Sequence, residues 1–382
     1  MRLRVPGNAC PRTIPQLGAQ VGYGALLLAV SILANSQASS PTEHESWTAS
    51  SETASSTMAP SRQLGTHVKN ENHILDTRTV QVRGPDGSYE NYSDTESELI
   101  QDNASRSRFI VRRYAPGPGG ERQLIQLTEE TRAAEESGGS MVRTTSEPDS
   151  LGNLQAVQRE TKETKRAAGT VKSKWVTFTK DPAGAFVPSQ QTEEVQNVLG
   201  NGELRLTSKT SVPDVSGAWQ VIEQRERITR KHADGQRVEE TTWCPDFEGQ
   251  MSRVGRVLTQ DSIVNGRKVE TVETYSIDAA GTARDGILRL INRSTTTHEE
   301  RPEKAGSEET IEQPVPGGGI SGDLKTMTTV SRAVVPKQSG TEETTTTRVR
   351  NLDGSFTVIS EETRQSQQIP MQIQMSPADR PK

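Results

Sequence analysis

The sequence predicts an all-β protein: an antiparallel meander of about nine β-hairpin repeats, each about 33 residues long, that forms an extended, twisted or solenoid-like sheet. Three observations favour this fold class. A glycine-containing turn recurs at a nearly fixed period, a second kind of turn falls midway between, and the stretches that separate them alternate in the manner of strands. A closed barrel or propeller-like array is the alternative, because twisted open sheets rarely exceed about ten strands without curling.

The first kind of turn is built from Pro, Asp and Gly, as in Pro213–Gly217 (PDVSG) and Pro245–Gly249 (PDFEG). Proline fixes φ at the first corner, the aspartate side chain bonds the nearby backbone, and glycine tolerates positive φ. Successive closing glycines are 32 to 38 residues apart. These glycines are Gly87, Gly120, Gly152, Gly184, Gly217, Gly249, Gly281, Gly319 and Gly354.

The second kind of turn divides each repeat into two strands, as at Asn265-Gly266. The stretches between turns are rich in Thr, Val, Arg, Glu and Gln. β-Branched residues such as Thr and Val favour extended structure even where the side chain is exposed to solvent. Alternation places Val176 and Phe178 on one face. We therefore expect about 18 strands.

A large apolar residue recurs two positions after the first-turn glycine, which predicts a packing stripe along one face of the sheet. The seventh and eighth repeats depart from this pattern with Ala283 and Ser321. The apolar residues are Tyr89, Leu154, Phe186, Trp219, Met251 and Phe356.

Residues 1–38 have the pattern of a signal peptide. A basic stretch with Arg2, Arg4 and Arg12 precedes the apolar run 21–34, and small residues follow it at a plausible cleavage site. The apolar run is shorter than the length that a transmembrane helix normally requires. An uncleaved signal anchor remains the alternative.

The rest of the chain divides by composition into three further segments. Residues 39–73 are rich in Ser, Thr and Glu and predict a disordered spacer. Residues 74–365 form the β-hairpin repeat domain, and residues 366–382 are predicted to be a disordered C-terminal tail.

Composition excludes several functional classes. Hydrophobic residues make up 30 % of the chain, aromatic residues 4 %, and the mean hydropathy is −0.71. These values argue against a large enzyme-like core and against a membrane barrel with aromatic girdles. The net charge of −5 gives no basic excess for nucleic-acid binding.

No catalytic motif stands out, so we expect no enzymatic activity and no cofactor. The chain lacks a G-x-S-x-G elbow, an H-E-x-x-H helix and a P-loop. The segment Gly317–Gly322 matches G-x-G-x-x-G, but it lies in a predicted hairpin turn and not between a strand and a helix.

An aspartate recurs in the first turns, and stacked hairpins would align these residues along one edge. Carboxylates and turn carbonyls are ligands that Ca²⁺ prefers, although aspartate is also a good turn former. The candidate calcium ligands are Asp86, Asp149, Asp181, Asp214, Asp246, Asp278 and Asp353.

Together these patterns predict an exported, non-enzymatic repeat protein that serves as a structural, adhesive or interaction surface in the periplasm, at the cell surface or outside the cell. The expected partner is a protein or polysaccharide surface, with no nucleic acid and no membrane span after signal cleavage. One alternative is a glycan-binding or carbohydrate-active envelope protein that uses Trp175, Trp219 and Trp243 as stacking platforms. A second alternative is a largely disordered exported spacer.

Overall fold

A computed structural model describes residues 43–53, 61–200, 202–233, 235–246, 248–277, 287–301, 304–314, 324–337 and 340–368. The predicted signal peptide, residues 1–38, lies outside these ranges, as do residues 369–382 of the predicted tail. Within them every regular element is a β-strand, and no helix is present. In particular, this part of the chain holds no helix that is long and apolar enough to cross a membrane.

The strands form one 20-stranded sheet. They are β1 (Glu43–Thr53), β2 (Ser61–Asn70), β3 (His73–Arg83), β4 (Tyr89–Asn103), β5 (Arg106–Pro116), β6 (Arg122–Glu135), β7 (Gly138–Pro148), β8 (Leu154–Ala167), β9 (Thr170–Lys180), β10 (Phe186–Val198), β11 (Leu204–Pro213), β12 (Trp219–His232), β13 (Gly235–Pro245), β14 (Met251–Val264), β15 (Arg267–Ser276), β16 (Arg289–Arg301), β17 (Lys304–Pro314), β18 (Leu324–Lys337), β19 (Gly340–Arg350) and β20 (Phe356–Gln368).

Each strand pairs antiparallel with the next strand along the chain, which confirms the predicted all-β meander. Strands β3 to β20 are the nine predicted hairpins. The first and last strands also pair with each other, with Ser50 opposite Thr363 and Thr48 opposite Gln365. Strand pairing therefore runs around a full ring, which matches the closed arrangement that the sequence left open as an alternative.

Strands β1 and β2 lie within residues 39–73, for which the sequence analysis predicts a disordered spacer. The prediction of disorder is wrong for these two strands. It relied on the lack of apolar alternation, a pattern that a strand needs only when one of its faces packs against an apolar core. Here β1 completes the ring by pairing with β2 and β20.

A β-bulge interrupts all nine hairpins at the same place, a few residues after the first turn. Bulges increase the local twist and bend a strand, which is how sheets are curved and closed. The residues that the register skips are Tyr92, Ile125, Val157, Ser189, Ile222, Val254, Ile291, Met327 and Ile359.

The sheet encloses no compact apolar core. Among the described residues only three hydrophobic side chains are buried, those of Met141, Val238 and Cys244. Most strand positions are half-buried instead. Interstrand hydrogen bonds and cross-strand side-chain pairs must therefore hold the ring together.

Register assigns every paired residue to one of two faces, because directly opposite residues share a face. We call face A the face that carries Glu130, which is followed across β6, β7 and β8 by Arg143 and Glu160. Face B is the opposite face, where Glu163 and Lys174 are paired across β8 and β9. Charges thus occur in the middle of strands on both faces.

On strands β6 to β9, most side chains of face A are more deeply buried than those of face B. The Glu130 side chain is 0 % exposed, whereas Lys174 and Glu193 on face B are 51 % and 54 % exposed. On β8, Glu160 and Lys162 of face A are half-buried, while Arg159 and Glu163 of face B are exposed. Side chains crowd together on the concave side of a closed sheet, so we infer that face A lines the interior of the ring.

Candidate functional site

The most elaborate cluster of polar side chains on face A lies at the centre of β6, β7, β8 and β9. Alternation along each strand turns its members to the same face. Register then sets Glu130 opposite Arg143, and Lys162 opposite Trp175. We name this group of six side chains the interior cluster: Glu130, Arg132, Arg143, Glu160, Lys162 and Trp175.

The buried carboxylate of Glu130 holds one side of the interior cluster. It accepts hydrogen bonds from Arg132 and from Nε of Arg143, the latter at 2.7 Å. Nη1 of Arg143 also donates to Glu160 at 3.0 Å. A buried carboxylate requires such partners, because an unpaired charge away from water carries a large desolvation cost.

The other side of the interior cluster is formed by cations beside an indole ring. Nζ of Lys162 lies 5.3 Å from the centroid of Trp175, and Cζ of Arg143 lies 5.7 Å from it. Both distances are within the range of a cation–π interaction. With three basic and two acidic groups, the interior cluster carries one excess positive charge.

This chemistry suits binding and not catalysis. The interior cluster contains charged donors, acceptors and an aromatic ring, but no serine, cysteine or histidine nucleophile paired with a base. Such groups can hold a small polar or anionic solute through hydrogen bonds and charge. Sequence analysis missed the interior cluster, because only register shows that these residues from four strands meet.

The aspartates proposed as calcium ligands serve their own turns. Asp214 accepts the backbone N–H groups of Ser216 and Ala218 at 2.8 Å and 3.0 Å. The Ser216 hydroxyl also donates to it, and these hydrogen bonds lower the pKa of Asp214. The same capping recurs at Asp86, Asp149, Asp246 and Asp353, and Asp181 accepts the N–H of Ala185.

The structure brings none of the calcium candidates together in the part of the chain it describes. Over those residues no group of three or more His, Cys, Asp and Glu side chains could hold a metal ion. Asp278 lies outside the described residues. Turn capping alone accounts for the recurrence of these aspartates, and calcium binding stays a prediction.

The three tryptophans proposed as glycan platforms do not form one surface. Trp175 lies on face A beside the two cations, whereas Trp219 and Trp243 lie on face B. Trp219 is 39 % exposed. A shared stacking platform for a polysaccharide is therefore absent among these three residues.

No protein family matches this sequence, and no curated protein does. Solved structures do resemble it. The siderophore receptor PirA from Acinetobacter baumannii aligns with a TM-score of 0.50 and 6 % identity, over 87 % of this chain and 81 % of that chain. PirA from Pseudomonas aeruginosa aligns with a TM-score of 0.48 and 7 % identity, over 86 % and 80 %. The copper transporter OprC gives 0.43 and 8 %, over 86 % and 80 %.

At such low identity the likeness concerns the fold alone. The expectation of a structural, adhesive or interaction surface is wrong: the sheet closes into a ring, and its fold resembles that of the siderophore receptor PirA from Acinetobacter baumannii. The glycan-binding alternative loses the stacking platform proposed for it, because Trp175 lies on the opposite face from Trp219 and Trp243. The disordered alternative is overturned by the 20 paired strands.

Proposed function

We propose that this protein is an exported, closed β-barrel of the cell envelope that admits small polar solutes to its interior. The observation that carries the proposal is the pairing of β1 with β20, which closes the strand ring. The solute takes the place of the protein or polysaccharide partner expected from the sequence.

The size of the ring supports a water-filled interior. Twenty strands about 4.8 Å apart and tilted by about 40° give a backbone radius of about 20 Å. Barrels of 16 to 22 strands leave an aqueous channel or a lumen that a plug can fill. The scarcity of buried hydrophobic side chains in the described chain is what a water-filled interior requires.

The chemistry of face A supports a polar solute. The interior cluster has one excess positive charge, and Lys162 has no acidic partner in the part of the chain that the structure describes. The resemblance to the siderophore receptor from Acinetobacter baumannii gives this fold a precedent for a small solute.

Cysteine accessibility tests the proposal. In a full chain with Cys10 and Cys244 replaced by alanine, Thr177→Cys places a thiol on face A and Thr161→Cys places one on face B. Both threonines are half-buried and lie on neighbouring strands, so they are a matched pair. The probes are N-ethylmaleimide and a maleimide that carries a long polyethylene glycol chain.

We expect both thiols to react with N-ethylmaleimide at similar rates, and the polymer reagent to modify Thr177→Cys at least about tenfold more slowly. Equal rates with the polymer reagent would show that face A is not enclosed. Failure of N-ethylmaleimide to reach Thr177→Cys would show that the interior admits no small solute. Either result overturns the proposal.

A further inference from the structure

We propose that one end of the barrel rests in the interfacial region of a lipid bilayer. This is the end at which the first turns lie, where β3 turns into β4 and likewise around the ring to β19 and β20. We call it the first-turn end. The inference stands on this surface alone and does not depend on what the interior takes up.

Three of the first turns carry at their tips the most exposed large apolar side chains described in the protein. Leu151, Val215 and Leu352 are 84 %, 110 % and 111 % exposed. Each tip is held by a rigid turn: the N–H of Gly217 donates to the carbonyl of Asp214 at 2.9 Å. Folding leaves these side chains in water. Their transfer to an apolar phase is favourable by about 25 cal/mol per Å² of apolar surface removed from water.

A belt of aromatic residues lies directly behind the tips. Its members occupy face B within two residues of a first turn, on eight different strands around the ring. Eight of the eleven aromatic residues whose side chains are described belong to this belt. They are Tyr89, Tyr114, Phe178, Phe186, Trp219, Trp243, Tyr275 and Phe356.

Aromatic rings of this kind suit a membrane–water interface, because each has an apolar body, and the rings of Tyr and Trp also carry a polar edge. Composition alone does not show the belt. Aromatic residues are only 4 % of the chain, but the fold concentrates them at one end.

Basic residues accompany the belt. Arg62, Arg122, Lys180 and Arg256 each lie within 6 Å of the ring centroid of a belt residue, at 4.9, 3.6, 5.8 and 5.7 Å. In register, Arg83 stands opposite Tyr89 and Arg350 stands opposite Phe356. Arg122 and Arg256 already pair with carboxylates of face B, whereas Arg62 and Lys180 make no ion pair within the described ranges of the chain. Unpaired cations beside interfacial aromatic rings complement the phosphates of anionic lipid headgroups.

The carboxylates at the same tips are engaged by their turns. Asp149 accepts the N–H groups of Leu151 and Asn153, both within 2.9 Å. Backbone donors therefore compensate part of the cost of bringing this carboxylate to a lipid surface.

Lipid contact ends at the belt. Further along face B, Arg112 pairs with Glu98 at 3.0 Å and Lys174 pairs with Glu193 at 3.9 Å. Basic groups at mid-bilayer depth cost about 2–4 kcal/mol each on the lipid face of a barrel. The first-turn end is thus suited to dip into an interface, and the strand middles of face B are suited to water.

Vesicle binding by the full chain tests the inference. The probe is flotation with vesicles of phosphatidylcholine and phosphatidylglycerol. The variant Leu151→Ser/Val215→Ser/Leu352→Ser removes the three apolar tips. These side chains are fully or nearly fully exposed, so folding should be preserved. We expect vesicle partitioning to fall at least about tenfold.

The matched control changes three exposed apolar residues at the other end of the strands: Val198→Ser, Ile263→Ser and Val264→Ser. These residues are 60 %, 63 % and 49 % exposed. The control should float like the unaltered chain, and all three proteins carry the same apolar run 21–34. Equal flotation of the tip variant and the unaltered chain, or equal loss in both variants, would overturn the inference.

Tryptophan quenching by brominated lipid gives an independent readout. In chains that retain a single tryptophan, Trp219 or Trp243 should be quenched at least about threefold more than Trp175, which lies on face A. Stronger quenching of Trp175 than of the belt residues would contradict the assigned surface.

Discussion

At the first-turn end the same chemistry recurs in repeat after repeat, whereas in the middle of the strands each repeat has its own. The turns combine a capping aspartate with a glycine at positive φ, such as Asp214 with Gly217 at φ 84°. The strand middles carry ion pairs that differ from one strand to the next. On face A Glu130 is buried between two arginines, while on face B Lys174 and Glu193 face water.

The repeated sequence unit therefore determines the turns, whereas the closed ring determines the side-chain pairs in the strand middles. A turn is a local structure, so its residues recur with the period of the chain. A mid-strand pair depends on two strands and their register, and its environment depends on curvature, which only the closed ring defines. The following predictions test this separation between turns and strand middles.

The largest effect is expected from Glu130→Ala in the strand middle of face A. The change removes a buried acceptor and leaves Arg132 and Arg143 without it, which should lower the free energy of unfolding by about 3 kcal/mol. The matched change on face B, Glu193→Ala, removes a partner that is 54 % exposed and should cost less than about 1 kcal/mol. Urea denaturation measures both. Equal decreases in the free energy of unfolding for the two variants would contradict the difference in burial between face A and face B.

An intermediate effect is expected from Gly217→Ala in a first turn. A Cβ at this position meets no heavy atom within 4 Å, but the residue has φ of +84°. The left-handed conformation alone should therefore cost about 1–2 kcal/mol. Gly255→Ala in β14 is the control: its Cβ would meet its nearest atom at 3.7 Å, at a φ outside that region. It should be neutral or slightly stabilising in thermal unfolding.

The smallest effect is expected on acidification. Hydrogen bonds from Ser216 lower the pKa of Asp214 below its ordinary 3.8, and the bond from Arg112 lowers the pKa of Glu98 below 4.5. A carboxylate whose pKa is depressed by folding stabilises the folded state fully above its unfolded pKa, and this contribution is lost as the pH falls through the folded value.

The melting temperature should therefore stay level from about pH 7 to about pH 5 and decline below about pH 4.5. Asp214→Asn keeps a turn acceptor but does not titrate, so its acid decline should be slightly shallower in calorimetry. A melting temperature that rises on acidification would contradict the role assigned to these carboxylates.

The sequence alone predicts the meander, the nine hairpins and the first turns, because Pro, Asp and Gly act locally. It does not predict the interior cluster, since Arg and Glu occur on every strand and only register selects which of them pair. The bulges that set this register do leave a trace. An apolar residue recurs five positions after the first-turn glycine, as Ile125 after Gly120 and Ile222 after Gly217. The sequence does not decide closure, because a long twisted sheet tends to curl and close while the low apolar content argues against a filled inner face.

The closed ring requires that the first and last strands pair, and a cross-link tests this pairing most directly. Ser50→Cys and Thr363→Cys, in the full chain with Cys10 and Cys244 replaced by alanine, place two thiols at directly opposite positions of β1 and β20. Ser50→Cys with Thr192→Cys, on β10, is the control. If the ring is closed, mild oxidation gives an intramolecular disulfide in the monomer for the first pair and none for the control. A first pair that stays reduced, or that cross-links only between molecules, would contradict the closed ring.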